Sequence, residues 1–259
     1  MADVALVTGA SSGIGEAFAR AYAARGRDLV LTARREDRLQ RLAAELAGRH
    51  GVSAEVVALD LAACEGPSRL AAEVEARGHS VVALVNNAGF GVVGQPFGSV
   101  PVERSVEMAR LNVAAMVELT GRYLPGMLAR GAGDVVNVGS IAGFQPLGTM
   151  ALYAATKSFV LSFSLGVWGE TRGSGVRVLA LCPGDTNTEW EAVAGVPQGS
   201  RNEKGLSAEA VVARAFRALE RDRGFVVVAK PGQRVPVGLS GLLPRRLLAR
   251  ATARMMPRF

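Results

Sequence analysis

Seven short runs rich in Val, Leu and Ala alternate along this chain with longer stretches of helical periodicity. That alternation leaves few folds open. The runs fall at 4–7, 29–31, 56–59, 81–85, 135–138, 176–181 and 225–228. Helical patterns fill 13–25, 36–49, 65–77, 102–129, 151–172 and 207–221. Strands that read as unbroken apolar runs are covered on both faces, and parallel strands need a crossover between them. Right-handed crossovers then build a doubly wound parallel α/β sheet. The expectation is a single domain over 1–230, seven-stranded, with helices on both faces. The interval 183–206 is too long for a tight connection and reads as a lid over about 185–206. Residues 231–259 form a basic C-terminal extension.

Composition narrows the function classes. The chain has 259 residues, 49% of them hydrophobic, enough for one large core. No apolar run approaches the ~20 residues that span a bilayer. Met1-Ala2-Asp3 leads into a strand without a basic leader, so a cytoplasmic chain is expected. Two cysteines (Cys64, Cys182) and two histidines (His50, His79) have neither a disulfide framework nor metal-ligand spacing. No metal site is expected.

The formal charge is +7. Six arginines (234, 245, 246, 250, 254, 258) and no acid lie in the C-terminal extension, so the body is nearly neutral. No basic face for nucleic acid is expected. Residues 244–256 read as a short amphipathic helix, with Arg246, Arg250 and Arg254 beside Leu247, Leu248, Ala251 and Met255. Peripheral contact with an anionic membrane is one use of such a helix. Packing of its apolar side on the body or on another subunit is favoured.

Chemistry enters at the first strand-to-helix turn, Thr8-Gly9-Ala10-Ser11-Ser12-Gly13-Ile14-Gly15. Glycines permit a tight turn and close approach of backbone to a pyrophosphate. The helix N-terminus adds free N–H groups and partial positive charge. The spacing Thr-Gly-x-x-x-Gly-x-Gly, in this context, resembles the classical short-chain dehydrogenases/reductases over about 4–230. The resemblance implies a Rossmann-type fold, a nicotinamide cofactor and a homodimer or homotetramer. It further implies that Gly9, Ser11, Ser12, Gly13, Ile14 and Gly15 touch the cofactor. By the same resemblance Asp60 and Leu61 hold adenine, and Asn87, Ala88 and Gly89 line the cleft.

The second strand ends Thr32-Ala33-Arg34-Arg35. An acid there binds the ribose 2′-hydroxyl of NAD; an arginine accommodates the 2′-phosphate of NADP. The acid position is Ala33, and two guanidinium groups follow. NADP(H) is therefore expected over NAD(H), although the turn itself carries Ser12 where some NADP-dependent relatives carry a base.

Tyr153-Ala-Ala-Thr-Lys157 lies on a predicted helix, where i and i+4 share a face. A phenol with pKa about 10 is a poor base, and a nearby cation is expected to lower it. Ser140 ends the fifth strand, where ligands bind in such sheets. Asn112 falls mid-helix, where Asn is a mediocre former. Singly, each is an ordinary structural residue. In this order, behind this turn, they match the family's Asn–Ser–Tyr–Lys tetrad. In that tetrad the Ser and Tyr hold the substrate oxygen, the Lys holds the nicotinamide ribose, and the Asn holds a relay water. Pro183-Gly184-Asp185-Thr186-Asn187-Thr188 resembles the family's nicotinamide loop, and Pro183, Gly184, Thr186 and Thr188 are its expected contacts. Thr186 stands where relatives have an aliphatic residue.

The implied reaction is hydride transfer between nicotinamide and a carbonyl or secondary alcohol. Ser140, Phe144, Met150, Tyr153 and Trp190 are the expected substrate pocket. Its apolar character favours a hydrophobic ketone, aldehyde or acyl-chain carbonyl. Similar Arg/Leu-rich tails occur in 17β-hydroxysteroid-dehydrogenase-like or DltE-like relatives. Two rival readings are a catalytically idle NADP sensor and a membrane-docked interaction protein.

Overall fold

The computed structural model describes residues 2–196, 205–240 and 243–255. Seven strands form one parallel sheet: β1 (Ala2–Thr8), β2 (Asp28–Ala33), β3 (Ala54–Ala58), β4 (His79–Asn86), β5 (Gly133–Val138), β6 (Val176–Pro183) and β7 (Phe225–Val228). Their order is β3-β2-β1-β4-β5-β6-β7. The chain winds outward from β1 in one direction and from β4 in the other. The switch point between them opens a crevice at the strands' C-terminal ends.

The ten helices among the described residues are α1 (Gly13–Ala23), α2 (Glu36–His50), α3 (Gly66–Ala76), α4 (Val102–Ala109), α5 (Ala115–Arg130), α6 (Ala151–Glu170), α7 (Trp190–Val193), α8 (Ala208–Glu220), α9 (Pro231–Ser240) and α10 (Arg245–Met255). Phe18 and Tyr22 of α1, Leu39 and Leu46 of α2, and Val211 and Phe216 of α8 cover one sheet face. Leu70 and Val74 of α3, Leu119 and Met127 of α5, and Val167 of α6 cover the other. Val4–Val7 are all buried, so apolar residues are required on both faces of β1.

Two departures from the sequence reading have physical causes. The third strand starts two residues early, because Ala54 and Glu55 pair with Leu29 and Val30 at the sheet edge. An edge strand has one neighbour and tolerates a polar residue. The long helix expected over 102–129 is broken in register by a π-turn, Arg110–Ala114.

The lid is closed at its base. Thr186 bridges Leu206, and Asn187 N–H donates to the Leu206 carbonyl at 2.9 Å. Residues 197–204 of the expected lid, and Met256 of the expected basic helix, lie outside the described residues. Beyond β7 the chain returns to the crevice. Gly232, Gln233 and Val237 of α9 line it. Thr252 of α10 donates to the Pro146 carbonyl at 2.8 Å, and Leu248 is buried. Leu248 and Thr252 of α10 thus rest on the body, while Leu247, Ala251, Arg246, Arg250 and Arg254 are exposed. No described helix is long and apolar enough to cross a membrane.

Candidate active site

The Gly-rich turn is held open by its neighbours. Gly13 has φ +59°, and a Cβ there would lie 2.9 Å from the Thr188 methyl. Thr8 ties the turn to β4. Its hydroxyl donates to the Val85 carbonyl and accepts the N–H groups of Asn87 and Ala88 at 2.9 and 3.0 Å. The Asn87 amide returns to the Thr8 carbonyl at 2.9 Å. Deeper in, the Asn86 amide donates to Thr120 and Asn137, and Asn137 donates to Ser164. This buried chain fixes the ends of β4 and β5. Asn137, fully buried, was not singled out from sequence, where it is one polar residue in an apolar strand.

Arg35 supplies the base that the turn lacks. Its guanidinium donates to the Ser11 hydroxyl at 3.0 Å and the Ser12 hydroxyl at 2.8 Å. Arg34 points elsewhere, 3.6 Å from Glu107 and largely exposed. Arg38, one helical turn beyond Arg35, joins the same corner through Glu189. Asp60 uses one carboxylate oxygen to accept the Ala62 N–H at 2.9 Å, shaping the turn after β3.

At the other end, α6 aims Tyr153 and Lys157 at Ser140. Tyr153 and Ser140 share a hydrogen bond. The Ser140 hydroxyl also accepts the Ala142 N–H at 3.1 Å, which fixes it at the head of the turn after β5. Lys157 Nζ donates to the Val138 carbonyl at 2.8 Å and lies 5.8 Å from the Tyr153 ring centre. Burial, not the lysine, dominates the phenol: desolvation pushes Tyr153 up to about 12, and the Ser140 hydrogen bond pulls the other way. The expectation that the cation lowers it is therefore corrected. Burial also pulls Lys157 down to about 8. Such a tyrosine keeps its proton, which suits a proton donor.

A pH dependence follows from the lysine. It is charged below its pKa, so reductive kcat/KM should be level below and fall as pH rises through about 8. Lys157→Arg, with a guanidinium that stays protonated, should move the fall upward even if overall activity drops. A profile unchanged between the two would contradict this assignment.

Asn112 sits in the π-turn, where the Ala115 N–H reaches back five residues to the Arg110 carbonyl. Such turns are frequent at functional sites. Its side chain is largely committed: Oδ1 accepts the Phe90 N–H at 3.1 Å, and Nδ2 donates to the Phe90 carbonyl and the Thr156 hydroxyl, which leaves one acceptor position on Oδ1. It links the loop after β4 to α6, behind the cleft wall.

One cleft of about 640 Å³ carries nearly all the expected residues. The turn from Gly9 to Ile14, Arg34, Arg35, Asp60, Leu61, Asn87, Ala88 and Gly89 line it at one end. Ser140, Met150, Tyr153, Lys157, Pro183, Gly184, Thr186, Thr188 and Trp190 line the other. Three expected residues do not reach its wall. Asn112 stands behind it. A Cβ on Gly15 would run into the Gly9 carbonyl, so Gly15 lets α1 pack tightly beneath the turn. Phe144 is the third: its ring packs near Phe225, with centres 6.4 Å apart. Thr186 donates its hydroxyl to the Gly184 carbonyl at 3.0 Å, so the extra oxygen braces its own turn.

Gly91, in the loop after β4, sits against two rings of the substrate end. A Cβ there would lie 2.8 Å from the Trp190 ring and 2.9 Å from the Tyr153 ring. The two rings meet at 5.2 Å between centres.

A Gly-rich turn with donor hydroxyls and a guanidinium at one end fits an elongated dinucleotide phosphate. The Ser–Tyr–Lys cluster at the other end fits a carbonyl oxygen. Fold and site together define a dinucleotide-dependent oxidoreductase.

Comparison with known proteins agrees. Residues 3–196 match the family described as short chain dehydrogenase. The chain is 38% identical over 194 residues to sulfoacetaldehyde reductase 2 of Chromohalobacter salexigens, covering 74% of this chain and 76% of that one. It is 36% identical over 191 residues to an NADP-dependent 3-hydroxy acid dehydrogenase of Salmonella typhi, covering 73% and 75%. A short-chain dehydrogenase from Sphingobium yanoikuyae, solved in complex with NADPH, superposes with a TM-score of 0.79 at 34% identity, covering 93% and 94%. The chain belongs to the short-chain dehydrogenase family.

Proposed function

We propose that this protein is an NADPH-dependent reductase of a hydrophobic ketone, aldehyde or acyl-chain carbonyl, working in reverse as an alcohol dehydrogenase. The observation that carries the reading is the single cleft joining Arg35, Ser11 and Ser12 to Ser140, Tyr153 and Lys157. The NADP-dependent relative and the NADPH complex of a similar structure support the cofactor. The glycine turn holds the pyrophosphate, Arg35 and the two serines hold the 2′-phosphate, and Lys157 holds the nicotinamide ribose. Bound NADPH supplies a hydride from its nicotinamide.

The chain's own residues then do the rest. Ser140 and Tyr153 donate hydrogen bonds to the carbonyl oxygen and polarise it. Tyr153 passes its proton to that oxygen as charge develops. Lys157 and water held near the Asn112 turn restore the proton. Trp190 and Met150 flank the reacting carbon and exclude bulk water.

The substrate class rests on the lining. Sulfoacetaldehyde and 3-hydroxy acids, named for the relatives, are anionic at neutral pH. Among the described residues lining this cleft the cations are Arg34, Arg35 and Lys157, all assigned to the cofactor side or the chemistry. The substrate end offers Phe90, Ile141, Leu147, Met150, Trp190 and Val237. An uncharged, apolar carbonyl compound suits that wall better than an acid. The Arg/Leu-rich α10 tail is the feature that supports a 17β-hydroxysteroid-dehydrogenase-like or DltE-like branch.

Two unpaired cysteines suit a reducing cytoplasm. The stacked Phe159 and Phe163 rings on the outer side of α6, with Phe159 40% exposed, support association into a homodimer or homotetramer. The intact Ser–Tyr–Lys cluster speaks against an idle sensor, and the docked face of α10 against a membrane anchor.

The test is a panel of ketones, aldehydes and carboxylated carbonyl compounds, with NADPH and NADH followed in parallel. Turnover of apolar carbonyls with NADPH is the expected result. Preference for carboxylated substrates or for NADH would overturn the substrate or cofactor reading respectively.

A further inference from the structure

Three consecutive residues at the start of the lid rest on three different parts of the cleft. Thr188 lies against Gly13 of the glycine turn. Trp190 lies against the Tyr153 ring. Glu189, between them, reaches the corner where β2 meets α2. One of its carboxylate oxygens accepts from Arg35 at 2.6 Å, and the other accepts from Arg38 at 2.6 Å. Arg35 meanwhile keeps its bonds to Ser11 and Ser12. These two guanidinium groups pull the Glu189 carboxyl down to about 2, so it is ionised throughout the physiological range.

We propose that Glu189 is a latch on the start of the lid, which occupies the anion site made by Arg35 and Arg38 and yields it only to a ribose 2′-phosphate. This rests on the NADP reading above and deepens it. The donors are the argument. A carboxylate brings one negative charge and two oxygens. A phosphomonoester brings nearly two charges and three oxygens at neutral pH. Charge-assisted bonds to guanidinium favour the second. A ribose 2′-hydroxyl brings no charge and cannot displace an ionised carboxylate from two arginines. NADP(H) therefore frees the start of the lid, and NAD(H) leaves it fastened. Because Trp190 follows directly, release of Glu189 is transmitted to the ring beside Tyr153. The site thereby couples recognition of the phosphate at one end of the cofactor to access at the other.

Glu189 is exposed, and its one backbone bond, from the Val193 N–H to its carbonyl, does not involve the carboxylate, so Glu189→Gln should fold normally. The experiment measures equilibrium binding of NADP⁺, NAD⁺, adenosine 2′-phosphate and adenosine 5′-phosphate to wild type and Glu189→Gln. Tryptophan fluorescence is the second readout, with Trp190→Phe identifying its source. The variant should bind NADP⁺ and the 2′-phosphate about three- to tenfold more tightly, the scale of one or two exposed ion pairs. NAD⁺ and the 5′-phosphate should change less than about twofold. In wild type, adenosine 2′-phosphate alone should change a fluorescence signal that Trp190→Phe removes. Unchanged or weaker NADP⁺ binding by Glu189→Gln, with wild type still preferring NADP⁺ over NAD⁺, overturns the proposal alone. Wild type without that preference overturns the cofactor reading as well.

Discussion

Tyr153→Phe is expected to cut turnover about 10²- to 10⁴-fold, the usual contribution of a positioned general acid. The phenol is the one group hydrogen-bonded to Ser140 that can give up a proton to a carbonyl oxygen. Phenylalanine keeps the ring that packs on Trp190 and the fit beneath Gly91. It removes only the hydroxyl. NADPH affinity should stay within about twofold and thermal stability should fall little, because the lost hydrogen bond is a single one. A residual rate is expected, since Ser140 and the bound geometry remain. Full activity in Tyr153→Phe would remove the tyrosine from the mechanism.

The second large effect is at a residue with no chemistry of its own. Gly91→Ala should lower kcat/KM about 100-fold, the scale of a roughly 1 Å misplacement at a reacting centre. The added methyl would stand within 3 Å of both the Trp190 and Tyr153 rings. One ring must shift. If Trp190 gives way, the lid start moves outward and KM rises. If Tyr153 gives way, its bond to Ser140 lengthens and kcat falls. Steady-state kinetics with a circular-dichroism melt separates these outcomes from misfolding. Wild-type kcat/KM in Gly91→Ala would show that the two rings are not held in working register.

Much of this was legible in the sequence because it is local. Strand runs and the glycine turn are contiguous patterns, and the Tyr153–Lys157 pair depends only on helical spacing. What escaped is non-local. Arg38 and Glu189 meet across 151 residues, and Arg35 and Ser12 across 23. No periodicity connects them. The π-turn at Asn112 is hidden inside an otherwise continuous helical pattern, since a one-residue widening barely disturbs the apolar stripe. The Tyr153 pKa is hidden from the sequence for a different reason. Proximity of a cation can be inferred from i,i+4 spacing, but desolvation depends on everything packed around the pair, and here it wins. Phe144 belongs to the apolar segment 141–147 that follows Ser140. The short turn over Ile141–Phe144 carries its ring toward Phe225.

The account stands most directly on where the hydride and the proton go. NADPH carrying deuterium at the transferable C4 position should label the carbinol carbon of the product from an apolar ketone. The label should appear at the rate of NADPH oxidation in wild type, and Tyr153→Phe should slow label and oxidation together. Product without the label, or labelling undiminished by loss of the Tyr153 hydroxyl, would contradict it.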